Sequence, residues 1–121
     1  MAEVLELNDS NYVSFIENTN AVVFIDFYSE SCGPCQTLLT YLPHLSGYYS
    51  SDNVVIAKVN VATSPKLSTK YMVQSVPLSI VIGEDKMIKH VQVGLRSIDT
   101  YIKMIDNELG KGKGFFSRVF G

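Results

Sequence analysis

At 121 residues, 46% apolar and 18% charged, the chain fits one globular domain that buries a core without disulfide staples, and excludes a disordered polymer. A formal net charge of −2 gives no basic patch for nucleic acid to recognise. No apolar run approaches the ~20 residues that span a bilayer, and the acidic stretch Met1–Ser10 lacks the hydrophobic segment of a secretory signal, so a cytoplasmic, reducing setting is expected.

Val4, Leu5 and Leu7 predict a short first strand. Asn8-Asp9-Ser10 offers caps for a helix whose Tyr12, Phe15 and Ile16 recur at i, i+3, i+4 on one face. Ala21 to Tyr28 is nearly continuous and rich in Val, Ile and Phe, as a strand buried on both faces of a parallel sheet should be. A helical stripe of Leu38, Leu39 and Leu42 follows, which Pro43 should kink or end, with Leu45, Tyr48 and Tyr49 available to continue it. Val54 to Val61 is a second buried strand, and Ser64-Pro65 opens a short helix bearing Leu67 and Tyr71. Pro77–Ile82 and Met87–Val93 flank the turn Gly83–Lys86 as a hairpin, although the second strand alternates poorly and its register is open. Ile98, Tyr101, Ile102, Ile105 and Leu109 mark a final helix. The order is βαβαβαββα, an α/β domain with a parallel, crossover-linked middle and an antiparallel end.

Both cysteines of the chain lie in Cys32-Gly33-Pro34-Cys35, between the strand ending at Tyr28 and the helix starting near Cys35. A bridge closing so small a loop adds little stability by the entropy model, so reactivity explains the pair better than stapling. Unpaired N–H groups and partial positive charge at a helix start stabilise a thiolate there. A Cys-x-x-Cys near a βαβ pattern reads as a redox pair, but it also opens zinc sites. A structural zinc needs two more ligands, and His44 and His90, the only imidazoles, lack paired spacing.

The segment Asp26-Phe27-Tyr28-Ser29-Glu30-Ser31-Cys32-Gly33-Pro34-Cys35 resembles the active-site segment of thioredoxins. The resemblance runs over residues 1–109 and includes Ala57-Lys58-Val59-Asn60, Ser64-Pro65, Tyr71-Met72-Val73, Ser75-Val76-Pro77 and Val93-Gly94. It implies a thioredoxin fold, with a mixed central sheet flanked by helices, and dithiol–disulfide exchange with protein substrates. Cys32 would attack and Cys35 would resolve, with Gly33-Pro34 holding the sulfurs close. Asp26, costly to bury ionised, would sit beneath Cys35 and take its proton, with Lys58 near that carboxylate. Val76-Pro77 would be a cis-proline segment beside Cys32, whose backbone receives an extended substrate. Gly94 would let substrate backbone approach closely. Electrons would come from a flavin-dependent thioredoxin reductase, and no cofactor or metal is bound by the chain itself.

The chain departs from the family at Ser31, where thioredoxins usually carry Trp, so the substrate-facing surface is thinner and more polar. Leu78 stands where Thr is common, and Ala62 where an acid is frequent. Residues 110–121 form a second departure: three Lys/Arg and no acid, a Gly/Lys linker to Gly114, then the Phe-rich stretch Phe115–Phe120. Exposed phenylalanines are expected to dock on this domain, a partner, a second copy or, with the three cations, a membrane surface. A competing reading is a thioredoxin-fold adaptor, serving one partner through Ser31, Val76, Leu78 and this tail.

Overall fold

A computed structural model describes residues 3–110. The expected linker and Phe-rich tail from Lys111 onward lie outside the described residues. Nine elements follow in chain order: β1 (Leu5–Leu7), α1 (Tyr12–Asn18), β2 (Val22–Tyr28), α2 (Gly33–Tyr48), β3 (Val54–Asn60), α3 (Pro65–Lys70), β4 (Leu78–Ile82), β5 (Ile88–Val93) and α4 (Ile98–Leu109). This is the expected order. The strands form one sheet, β1-β3-β2-β4-β5, with β1, β3 and β2 mutually parallel and β4 and β5 antiparallel to their neighbours.

Alternation along β2 divides the interior in two. Val23, Ile25 and Phe27 enter a core closed by Tyr12 of α1 and Leu67 of α3. Val22 and Phe24 enter the other, closed by Leu38, Leu42 and Leu45 of α2 and by Tyr101, Met104 and Ile105 of α4. All seven residues of β2 are buried, which is why the strand reads as apolar without a polar face. The same alternation turns Asp26 toward α2 and α4.

Capping at the first helix differs in detail from the expectation. Asn11 is the N-cap of α1 and makes no side-chain cap bond. Asn8 instead braces the approach, its Oδ1 accepting from the N–H groups of Ser10 at 2.8 Å and Asn11 at 3.1 Å. Asp9 serves a different helix: its carboxylate accepts from the N–H groups of Lys66 and Leu67 at the start of α3, at 3.0 and 2.9 Å. An anion suits those unpaired donors and the positive end of the helix.

Pro43 does not end α2, which continues to Tyr48. Proline removes a donor and crowds the preceding turn, but Pro43 lies on the exposed side. Leu38 and Leu42 before it and Leu45 after it are fixed in one core. Packing on both sides of the proline thus overrides a local stop signal. Tyr49 caps the helix and crosses to α4, its hydroxyl donating to Asp106 Oδ1 at 2.7 Å and close to the Ile102 carbonyl at 3.0 Å.

The poor alternation of the last strand has a local cause. Val81 faces His90 while Ile82 faces Ile88, so Lys89 is an extra residue and the pattern slips by one. Across this bulge Ile88, on one side, and Val91 and Val93, on the other, share a single face, where they are half-exposed on the edge of the sheet. The turn before it is held by Gly83 N–H to the Met87 carbonyl and by Asp85 Oδ1 accepting from Met87 N–H at 3.1 Å.

Phe24 has no exposed surface and meets Tyr101 edge-on at 5.7 Å between ring centroids. Phe24→Ala should therefore cost about 3–5 kcal/mol in urea unfolding. Val13→Ala, at a site 60% exposed, should stay within about 0.5 kcal/mol.

Candidate active site

The site is assembled at one end of the sheet, where β2 hands the chain to α2. Cys32 is the N-cap residue of α2, extended in backbone conformation, and Pro34 follows early in the helix, where no intrahelical donor is lost. Cys35 Nα–H donates to Cys32 Sγ at 3.1 Å. The two cysteines are joined as a disulfide with Cα atoms 5.2 Å apart. They differ sharply in access: Cys32 is half-buried, while Cys35 has no exposed surface. Ser31, Gly33 and Pro34 are exposed around them.

A second segment meets the pair from β4. The Val76-Pro77 peptide bond is cis, and the Val76 carbonyl oxygen lies 3.7 Å from Cys32 Sγ. Pro77 is buried and its carbonyl accepts from Gly94 N–H at 2.9 Å. Gly94 has φ +83°, in the left-handed region that a side chain resists, and open space on the side where a Cβ would stand. Tyr101 of α4 fixes this turn from below, its hydroxyl accepting from Arg96 N–H at 2.9 Å and donating to the Gly94 carbonyl at 3.3 Å. Cys32, Val76, Pro77 and Gly94 are thus brought together from three parts of the chain. Leu78 is not part of that surface. It is buried in the core between the sheet and helices α1 and α3, because alternation turns the residue after Pro77 inward.

Asp26 is fully buried on the sheet face that α2 covers, and neither carboxyl oxygen has a hydrogen-bond partner among the described residues. Burial pushes its pKa up from 3.8 to about 7, with the Lys58 charge pulling the other way. Lys58 stands directly opposite Asp26 in the β2–β3 register and opposite Glu6 in the β1–β3 register. Its ammonium lies 3.6 Å from Glu6 Oε1 and 5.8 Å from the centre of the Tyr28 ring. The Tyr28 hydroxyl donates to the same carboxylate at 3.3 Å, and burial together with Glu6 pushes the Tyr28 pKa up to about 12. Lys58 is therefore shared between a buried acid and an exposed one.

Among the described residues, this surface holds one disulfide and no group of three or more metal-ligating side chains. Its chemistry is that of sulfur exchange, with an accessible sulfur at a helix start and a buried one a turn away. The sequence model of the Thioredoxin family matches residues 3–107. The chain belongs to the thioredoxin family. Its thioredoxin relatives include one from Chlamydia caviae, 38% identical over 79% of this chain and 89% of that protein. Thioredoxin 2 from Chlorobaculum tepidum is 30% identical over 87% of this chain and 94% of its own length. Among solved structures, a thioredoxin variant from Halobacterium salinarum superposes with a TM-score of 0.73 at 26% identity, covering 88% and 91% of the two chains.

Like the family, the protein is a thiol–disulfide oxidoreductase that acts as a protein disulfide reductase through the Cys32–Cys35 pair. Its substrates are disulfide-containing proteins, and a reductase returns it to the dithiol form. No helix of the described residues is long and apolar enough to cross a membrane.

Sequence reasoning does not single out Glu6, Ser79 or Tyr101. Ser79 breaks the apolar run of β4 as Asp26 breaks that of β2, so a signal is present. Glu6 is tied to Lys58 only through the sheet register, which no local pattern contains.

Asp26 has a consequence for stability. The unfolded chain ionises this group near 3.8 and the folded chain near 7. Between these values the native state holds the extra proton, so stability falls as pH rises from about 4 to about 7 and then levels off. A difference of this size corresponds to roughly 4 kcal/mol at alkaline pH. Asp26→Asn should be more stable than the parent in guanidinium unfolding at pH 8, by about 2–4 kcal/mol, and the gap should close toward pH 4.

Proposed function

We propose that Cys32 is the attacking thiolate and Cys35 the resolving thiol of this reductase, with Asp26 as the acceptor of the Cys35 proton. The observation that carries the assignment is the difference in access: Cys32 is half-buried at the start of α2, while Cys35 has no exposed surface. A folded substrate can reach only the first of them. Cys32 thiolate attacks one sulfur of a substrate disulfide, forming a mixed disulfide and releasing the other substrate sulfur as a thiolate. Cys35 loses its proton to the Asp26 carboxylate and attacks Cys32 Sγ. The bond between Cys32 and the substrate breaks, the substrate leaves with its second thiolate, and the Cys32–Cys35 disulfide holds the two electrons' worth of oxidation. A carboxyl group poised near neutral pH suits this step, since it is ionised often enough to accept and basic enough to hold a proton.

Val76, Pro77 and Gly94 form the substrate-binding edge in this reading, with the exposed Ser31, Gly33 and Pro34 around Cys32. Support comes from the 3.7 Å approach of the Val76 carbonyl to Cys32 Sγ and from the open space at Gly94. An extended substrate segment would lie along this edge by strand addition. Ser31 leaves room beside the nucleophile and adds a hydroxyl, which favours polar substrate segments over apolar ones. Lys58 steadies the negative charge on Asp26 before the proton arrives. The electron donor is read as a flavin-dependent thioredoxin reductase, and the compartment as the cytoplasm, since a dithiol that must be regenerated needs a reducing environment. Residues 1–109 are read as the catalytic unit, with 110–121 as an appended linker and tail.

In Cys35→Ser, insulin disulfide reduction should fall by at least about 100-fold, and the protein should accumulate as a mixed disulfide visible on a non-reducing gel. Cys32→Ser should form no such adduct. Turnover that survives Cys35→Ser, or adducts formed through Cys35 in Cys32→Ser, would overturn the assignment.

A further inference from the structure

Two buried polar side chains on the sheet face beneath α2 have no hydrogen-bond partner among the described residues. Ser79 and Asp26 are both fully buried, and the Ser79 hydroxyl and both Asp26 carboxyl oxygens are unsatisfied. The two are also cross-strand neighbours: in the β2–β4 register Asp26 stands directly opposite Ser79. Residues so paired point to one face with Cβ atoms about 5 Å apart. Ser79 is the only polar residue of β4, between Leu78 and Ile80-Val81-Ile82, where a small hydroxyl contributes little to packing. The large majority of buried side-chain polar atoms in folded proteins have a partner, and each of these two lacks what the other offers.

The neighbouring groups are otherwise engaged. On β3, the Lys58 ammonium is drawn toward Glu6 of β1. On α4, the Tyr101 hydroxyl is the other group within reach of the Ser79 hydroxyl and of the Asp26 charge, but its own bonds are accepted from Arg96 N–H and donated to the Gly94 carbonyl. On β5, Gln92 lies opposite Ser79 but turns its amide to the Val93 carbonyl at 3.0 Å. On β2 itself, Tyr28 donates to Glu6, and Glu30 is exposed beyond the strand. From α2, Cys35 presents a sulfur held in the disulfide.

We propose that Ser79 is the positioning residue of the Asp26 proton site, its hydroxyl donating to the carboxylate and accepting from the carboxylic acid. This rests on the reading of Asp26 as the acceptor of the Cys35 proton. A hydroxyl is both donor and acceptor, so one side chain serves both protonation states, directly or through one water. Lys58 can only donate, and therefore favours the ionised state alone. Ser79 keeps the site usable in both halves of the exchange: the carboxylate is held ready before Cys35 gives up its proton, and the acid is held in place after.

The test is a carbon-detected NMR titration of the Asp26 carboxyl group in the reduced full-length protein, with Asp26→Asn used to assign the signal. In Ser79→Ala both forms lose a bond, but the one to the carboxylate is charge-assisted and the stronger, so the Asp26 midpoint should rise by about half a pH unit or more. Ser79→Thr keeps the hydroxyl and should titrate as the parent does. Ser79→Cys, a weaker donor of similar size, should rise by less than Ser79→Ala, and serves if the alanine variant does not fold. An unchanged or lowered midpoint in Ser79→Ala, or a threonine variant displaced as far as the alanine one, overturns the pairing. The proton-acceptor reading fails separately. If Asp26→Asn leaves the pH profile of mixed-disulfide resolution unaltered, Asp26 is not the acceptor, while the titration still decides whether Ser79 holds it.

Discussion

Strand β2 is the constraint from which the rest of this protein follows. It is paired on both sides, parallel to β3 and antiparallel to β4, and buried along its whole length. Because it belongs to both cores at once, it cannot shift by one residue without exchanging the side chains of two interiors. That rigidity fixes where the chain leaves the sheet, and so fixes the start of α2 and the cysteine that caps it. It also fixes the depth of Asp26. A carboxyl group on a mobile loop would find water, whereas on β2 it stays in the apolar interior with its proton affinity raised.

The electrostatics run across the sheet rather than along the chain. Glu6, Lys58, Asp26 and Ser79 occupy neighbouring positions on four successive strands, β1, β3, β2 and β4. Exposure falls along that row, from a half-exposed glutamate through a third-exposed lysine to a fully buried aspartate and serine. The lysine ammonium lies 3.6 Å from Glu6 and 5.8 Å from the centre of the Tyr28 ring, so its charge is shared between the exposed acid and the buried one. Asp26 is left with a pKa near 7 rather than the low value of a tight ion pair.

The elements were legible where burial and period agreed. Ala21 to Tyr28 and Val54 to Val61 announce central strands because nothing polar had to face water, and Asp26 stands out against that background as an acid with nowhere to go. The Cys32–Cys35 pair is legible because it is local. What was not legible depends on contacts between distant segments. Pro43 reads as a stop until the leucines on either side of it are seen locked in one core. The pattern of β5 reads as irregular until Val81 and Ile82 are set against it and Lys89 drops out of the count. Glu6 carries no signal of its own, since a glutamate between two leucines is ordinary for an exposed strand face.

The bulge at Lys89 matters beyond register. β5 is an outer strand of the sheet, and it shows Ile88, Val91 and Val93, each at least half-exposed, along one face. A flat apolar edge of that kind is a template on which a second chain can add a strand and begin to aggregate. The extra residue twists the edge midway and sets a lysine, ion-paired to Asp85 at 2.7 Å, where a continuous ladder would otherwise run. At the other margin β1 is only three residues long. If extended substrate segments add beside Pro77 as proposed, the remaining edges of the sheet are poor at the same task, and strand addition is confined to the edge next to Cys32.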